Sequence, residues 1–426
     1  MGTTRRQIII RGSQLAAGAA LAPAFLSFAP RTTFAQDKTS IDFPYLWTGP
    51  EGEAMQKIVD DFNASQSEVE VKGVSNPDQQ RQLAAMASSN GFDISDGFDN
   101  QIGTWASNGV IQALDDLISG SNYDTSDFIP SVLEKMSFDG KTYALPVAVH
   151  TVLLLHNTTL LEEAGVEPPK TTSELAAAIE ALTKVDADGA IQQLGMQQPD
   201  FISFAYSFGG QWIDDQNQPT ANHEGNIAAL QFWVDNVLNK YGADNVKRFQ
   251  SGFGEYASPQ NPFYTGKVAM VTDGEWQARF TQQYAPDLKW AAAPIPVPDD
   301  KPELEGTSSI ASSIFFIPSN SSDADAAWAF MQYIMSPESM RDFTVALANL
   351  PTRQSLLKDK AYEEIPGMHY WLESLSSKNL KAMPNVPWGQ EYGTEITSTI
   401  DEVINLNKTP EEALNELQEK AKELAG

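Results

Sequence analysis

Between the turn signal Asp139-Gly140 and the pair Pro168-Pro169 lies the segment that most constrains the fold. Tyr143 to Leu155 is an apolar run rich in β-branched residues, interrupted at its middle by the imidazole of His150. Such a run predicts a strand covered on both faces. A histidine inside it needs a hydrogen-bond partner or a cavity to face. Asn157-Thr158-Thr159 then opens a short helix that stops at Gly165. Whether His150 faces core or ligand is the question the sequence poses.

The rest of the chain alternates strand-like and helix-like segments, which predicts an α/β architecture. Phe43 to Trp47 is a short strand, and Thr48 to Gly52 turns into a helix whose Met55, Ile58, Val59 and Phe62 share one face. Val69 to Val71 predicts a strand, and Gln79 to Ser88 a helix. Thr171-Thr172-Ser173-Glu174 and Thr409-Pro410-Glu411-Glu412 are capping boxes opening amphipathic helices. Ser336-Pro337 starts another, with proline at its first position. Trp233 and Trp328 fall on helical stripes and belong to the core.

A chain of 426 residues suggests two domains. Residues 1–35 are expected to be a signal peptide. Arg5-Arg6 before an Ala-rich apolar run suggest twin-arginine export, and Thr33-Phe34-Ala35 offers a cleavage site. Removing the four arginines of that segment takes the formal charge from −28 to −32. So acidic a surface repels nucleic acid and anionic lipid. No cysteine is present, which excludes thiol chemistry, disulfides and a cysteine-linked lipid anchor. The mature chain is expected to be a soluble periplasmic monomer without membrane insertion.

Catalytic signatures are absent. There is no phosphate-binding loop, no nucleophile elbow and no HExxH motif. His150, His156, His223 and His369 lack metal-ligand spacing, so neither metal nor cofactor is expected. Aromatic and polar residues instead follow the strand-like segments. In open α/β sheets that is where ligands bind. Flat rings beside carboxylates and amides suit a neutral polyhydroxy ligand: a ring covers its C–H face while acceptors and donors take its hydroxyls.

These residues carry a resemblance. Trp47 to Phe62, Gly140 to Gly165, Gly266 to Trp276 (GKVAMVTDGEW), Asn320 to Met340 and Leu350 to Arg353 occur in the order seen in the extracellular solute-binding proteins of sugar ABC transporters (family 1, maltose-binding-protein-like). The resemblance implies a two-lobe periplasmic binding protein fold with discontinuous lobes and three hinge crossings. One lobe would comprise 37–148 plus 292–350, the other 149–291 plus 351–426, with crossings near His150, Ala292 and Leu350. It implies a carbohydrate-binding importer component that closes over its ligand and delivers it to a membrane permease, and not an enzyme.

Carried over position by position, His150 replaces an acidic contact residue of the family, and Trp276 matches an aromatic that stacks on sugar. Asp99, Asn100, Trp47, Glu51, Trp212, Gly274, Ser309, Arg353, Trp388 and Glu391 complete the expected contacts. Eight of these have a plainer alternative. His150 as a core histidine, Trp47, Trp212, Trp276 and Trp388 as core aromatics, Glu51 as a helix N-terminal charge, Asp99 as a turn cap and Arg353 as an interlobe ion pair all stay open. So do two other functions: the same fold binding a polyamine or glycerol phosphoester, and a periplasmic glycan hydrolase.

Overall fold

The computed structural model describes residues 38–426 apart from 77, 89 and 90. The expected signal segment lies outside the described residues. The chain is mixed α/β, as its alternation predicts. Strands Thr39–Tyr45 and Val69–Ser75 pair in parallel across helix Gly49–Ser65. That helix buries Met55, Ile58, Val59 and Phe62, the face its spacing predicts. Both capping boxes form: Thr171 accepts from the Glu174 N–H and Thr409 from the Glu412 N–H, with each glutamate bonding back. Trp233 and Trp328 are core residues, as expected.

The apolar run becomes strand Ala144–Asn157, and its neighbours change part-way along. Residues 144–151 pair antiparallel with strand Ser308–Phe316, with a register shift at Ser313/Ile314. Leu350–Pro351 pairs with Val149 and Ala148. From Val152 onward the partners are Val268–Gly274 and Trp290–Ala293. One nine-stranded sheet is thereby threaded on a single strand. Every residue of this strand is buried except His150 and Val152, which sit where the partners change. The uninterrupted hydrophobicity has its cause in coverage of both faces.

A crossing is expected near Ala292, and the hydrogen bonds there are specific. Strand Trp290–Ala293 stays paired with Leu154–Asn157. Beyond it, Val297 bridges to Thr171, and Asp299 accepts from the Thr172 and Ser173 hydroxyls. From Trp290 to Lys301 the chain thus contacts residues 154–173 and Glu224 before it enters strand Ser308–Phe316. The late segment behaves similarly. Leu350 to Ser355 stays with residues 123–129 through Arg353, Gln354 and Ser355, and the Tyr362 hydroxyl still meets Thr344 at 2.6 Å. Trp371 then packs on Trp290. Proline-rich connectors look like linkers in sequence, and only their hydrogen bonds reveal what they touch.

Candidate functional site

His150 stands where the long strand changes partners, 14% exposed through its side chain, and both ring nitrogens are engaged. Nδ1 lies 2.6 Å from the Glu275 carboxylate and Nε2 lies 2.9 Å from Ser313 Oγ. Glu275 is fully buried and also accepts from Asn349 Nδ2 at 3.2 Å. Burial alone pushes the imidazolium pKa down. The charge and hydrogen bond of Glu275, helped by Asp99 and Glu51, outweigh that and hold it above the ordinary histidine value.

Trp276 lies edge-to-face on the imidazole at 5.7 Å and stays part-exposed. Its indole N–H donates to Tyr256 Oη at 2.6 Å, and that hydroxyl donates to Asp273 at 2.7 Å. Gln277 donates to both. Burial pushes the Asp273 carboxyl up to about 6 against these donors. Gly274 makes the arrangement possible. A Cβ there would come within 2.3 Å of the Trp276 ring, so only glycine lets the indole fold back over the strand end.

Trp47 follows strand Thr39–Tyr45 and packs on Phe343 at 4.9 Å and Phe315 at 5.8 Å, part-exposed. Glu51 sits in the first turn of the next helix, where burial raises its carboxyl pKa and His150 opposes the rise. Asp99 is buried at the end of strand Ser95–Phe98. Burial raises its pKa, while Lys135, the Ser312 N–H and His150 pull it back. Burial in turn lowers the Lys135 ammonium pKa, against the pull of Asp99. Carboxylates from three separate elements thus act on one imidazole.

Other expected residues lie elsewhere. Asn100 and Glu391 are exposed, and Trp388 is half-buried against Tyr392 at 5.3 Å. The helix that Trp388 opens packs near Asn100: Asn385 donates to the Lys135 carbonyl at 2.7 Å and the Gln390 N–H to Thr104 Oγ1 at 3.4 Å. Ser309 accepts from Ser203 at 2.8 Å. Trp212 is a core aromatic, 1% exposed, with its indole N–H on the Ile202 carbonyl at 3.2 Å. Arg353 is a buried brace. It reaches the Met335 carbonyl and the Tyr123 hydroxyl at 2.8 Å each, reaches Asp127 at 3.4 Å, and lies over the Phe128 ring at 4.4 Å. Neither of these two presents a free polar group.

A cavity of about 480 Å³ lies against Leu153, Ala292, Ser308 and Ser374. Alternation along the strand puts Leu153 and Thr151 on the face opposite His150, and Thr151 meets Ser374 there at 2.8 Å. None of the expected contact residues lines it.

Residues 47–341 match the family model for the bacterial extracellular solute-binding protein. The chain belongs to this family. It is 24% identical over 388 residues to the maltotriose-binding protein of Pyrococcus abyssi, covering 86% of this chain and 80% of that one. It is 25% identical over 398 residues to the mannitol-binding protein of Pseudomonas aeruginosa, covering 86% and 88%. The mannobiose-bound structure of CpMnBP1 superposes with a TM-score of 0.80 at 26% identity, over 90% of this chain and all of that one. The fold is the two-lobe α/β fold of these binding proteins.

Within this solute-binding protein, Glu275, Ser313, Asn349, Tyr256 and Asp273 were not singled out by sequence reasoning. A signal existed for two of them. Glu275 sits inside the Gly-x-Trp loop, and Ser312-Ser313 interrupts an apolar strand much as His150 does. Ser313, His150 and Glu275 also stand in the order of a nucleophile, a base and an orienting acid. Acyl transfer needs N–H donors for an oxyanion. The N–H of Ser312, next to Ser313, is spent on the Asp99 carboxylate, whose charge opposes an oxyanion beside it. The chemistry this arrangement favours is hydrogen bonding to a ligand.

Proposed function

We propose that this solute-binding protein is the soluble, periplasmic substrate-binding component of an ABC importer. It takes a neutral sugar or oligosaccharide into a cleft between two lobes and hands it to a membrane permease. The observation that carries this is the Trp276 platform. A part-exposed indole, locked by Tyr256 and Gly274, lies beside His150 with acidic and hydroxyl groups around it. Aromatic stacking with polar groups at the ring's edge is the chemistry of sugar recognition. The sugar- and polyol-binding relatives support the same ligand class. Trp47, Glu51 and Asp99 contribute from the segments that follow strands Thr39–Tyr45 and Ser95–Phe98. The protein binds its ligand without turning it over.

The lobes divide at the changes of hydrogen-bond partner. One comprises about 38–149 plus 311–362, the other about 151–309 plus 367–426. Ligand contacts from both sides favour the closed state, which the permease recognises. Periplasmic binding proteins are themselves a standard example of such hinge closure around a ligand. Export follows the twin-arginine route and leaves a monomer free of the membrane. Among the described residues no helix is long and apolar enough to cross one.

Thermal shift and calorimetry against mono-, di- and oligosaccharides and polyols test the ligand class. Micromolar affinity for a saccharide, about −8 kcal/mol, is expected. A response to spermidine or glycerol phosphate with none to any sugar would overturn it, as would hydrolysis of an oligosaccharide panel.

A further inference from the structure

The hydrogen bonds around His150 run in one direction, and that direction dictates what a ligand meets. Glu275 is fully buried and lies 2.6 Å from Nδ1. A carboxylate only accepts, so Nδ1 carries a proton in both charge states of the ring. The variable atom is Nε2, 2.9 Å from Ser313 Oγ. In the imidazolium, Nε2–H donates to Ser313, and the serine's own proton is left for a third group. In the neutral ring Nε2 accepts, Ser313 spends its proton there, and only lone pairs remain to offer. Ser313 Oγ has no other hydrogen-bond partner among the described residues.

The groups facing the ring favour the first state. Glu275 and Trp276 approach from the strand Val268–Gly274 and its loop, Glu51 from helix Gly49–Ser65, and Asp99 from the end of strand Ser95–Phe98. Lys135 acts on Asp99 while donating to the Ile310 carbonyl at 3.3 Å, and Asp273 lies close to Glu275 in the chain and accepts from Tyr256 and Gln277. Phe98, paired in register with Ser313, is 41% exposed, and Ser313 itself is 5% exposed.

We propose that Ser313 is a specificity-determining contact that donates its hydroxyl proton to an acceptor oxygen of the saccharide, with His150 and Glu275 as positioning residues that set the direction of that donation. The proposal rests on the sugar-binding reading of the cleft. It makes the site selective for a ligand offering a lone pair at this place, and it ties affinity to the charge of His150.

Calorimetry of the mature protein with maltotriose and mannobiose from pH 5.5 to pH 9 tests it. Wild-type affinity is expected to fall about tenfold as His150 loses its charge, the worth of one hydrogen bond. Ser313→Ala should show that loss already at pH 5.5 with a flat profile, while Ser313→Thr restores the wild-type profile. Glu275→Gln should move the midpoint to lower pH. Thermal melts confirm that each variant is folded. Nitrogen-15 spectra of His150 without ligand give an independent readout: Nδ1 stays protonated through the titration, and its midpoint drops in Glu275→Gln. A folded Ser313→Ala that binds like wild type with the same pH slope overturns the proposal and leaves the sugar reading standing. Protonation of the neutral ring at Nε2 overturns it too. Release of p-nitrophenol from p-nitrophenyl acetate that depends on Ser313 would replace it with catalysis. No binding of any saccharide by wild type would overturn the sugar reading and this proposal together.

Discussion

At the scale of single residues, the candidate site depends on glycine and tryptophan acting as a pair. Gly274→Ala puts a Cβ within 2.3 Å of the Trp276 ring and forces the indole off its seat. Sugar affinity is expected to fall at least about tenfold, the loss also expected of Trp276→Ala, with the melting curve little changed. Tryptophan fluorescence of Gly274→Ala should shift as the bond to Tyr256 breaks; unaltered fluorescence and affinity would remove the pair from the site. Arg353 tests the opposite kind of residue. It is a buried brace on Met335, Tyr123 and Asp127, so Arg353→Met should cost about 2–4 kcal/mol of stability. Denaturant unfolding measures that loss. Sugar affinity of the folded fraction should stay as it was, and a selective loss of affinity would return Arg353 to the ligand. Sequence alone could not separate Arg353 from Glu51. Both are charges near expected cleft loops, and only their surroundings show that one is spent on protein groups.

At the scale of elements, the decisive contact joins helix Ile102–Ser107 to the segment before helix Gly389–Ile404. A Cβ on Gly103 would lie 2.7 Å from the Val386 backbone nitrogen and oxygen. Asn385 and Gln390 bond across the same seam, to Lys135 and Thr104. In the proposed lobe division these segments belong to different lobes. Gly103→Val should therefore prop the cleft open, raising the radius of gyration seen by small-angle scattering and weakening sugar binding. An unchanged radius with normal affinity would show that the seam does not report closure. Helix ends were the most legible elements, because caps and apolar stripes are local: Thr171 with Glu174 and Thr409 with Glu412 form as their spacing predicts. The pairing of Trp290–Ala293 with Leu154–Asn157 was illegible. Backbone donors and acceptors find their partners by proximity, which composition does not encode.

At the scale of the whole molecule, buried acids give stability an acidic bias. Asp96 is buried, accepts from the Leu46 N–H, and burial pushes its carboxyl up to about 7. Asp273 is pushed up to about 6 by the same cause. A carboxyl whose folded pKa is raised binds more protons when folded. Its contribution is full below the unfolded value and is lost as pH rises through the folded one. The raised imidazole of His150 has the same sign. The melting temperature is therefore expected to fall between about pH 4.5 and pH 8, by an amount worth a few kcal/mol at Asp96. Asp96→Asn should flatten that slope, and a slope identical to wild type would contradict it. Salt should raise stability more at pH 8 than at pH 5, because the surface carries a large negative excess that ions screen.

The sequence by itself determined the α/β alternation, the buried strand around His150, the helix caps and the order of segments that marks the solute-binding family. Each is a local pattern or a linear order, and periodicity and turn chemistry act locally. Only the tertiary structure decided that Trp212 and Arg353 are spent inside the protein, that strand Trp290–Ala293 and Val297 pair with Leu154–Asn157 and Thr171, and that Glu275 and Ser313 flank the histidine. Those facts depend on which distant groups meet. His150 shows the division most clearly. An apolar run announced that it needed a partner, and only the fold could supply one from residue 275 and another from residue 313.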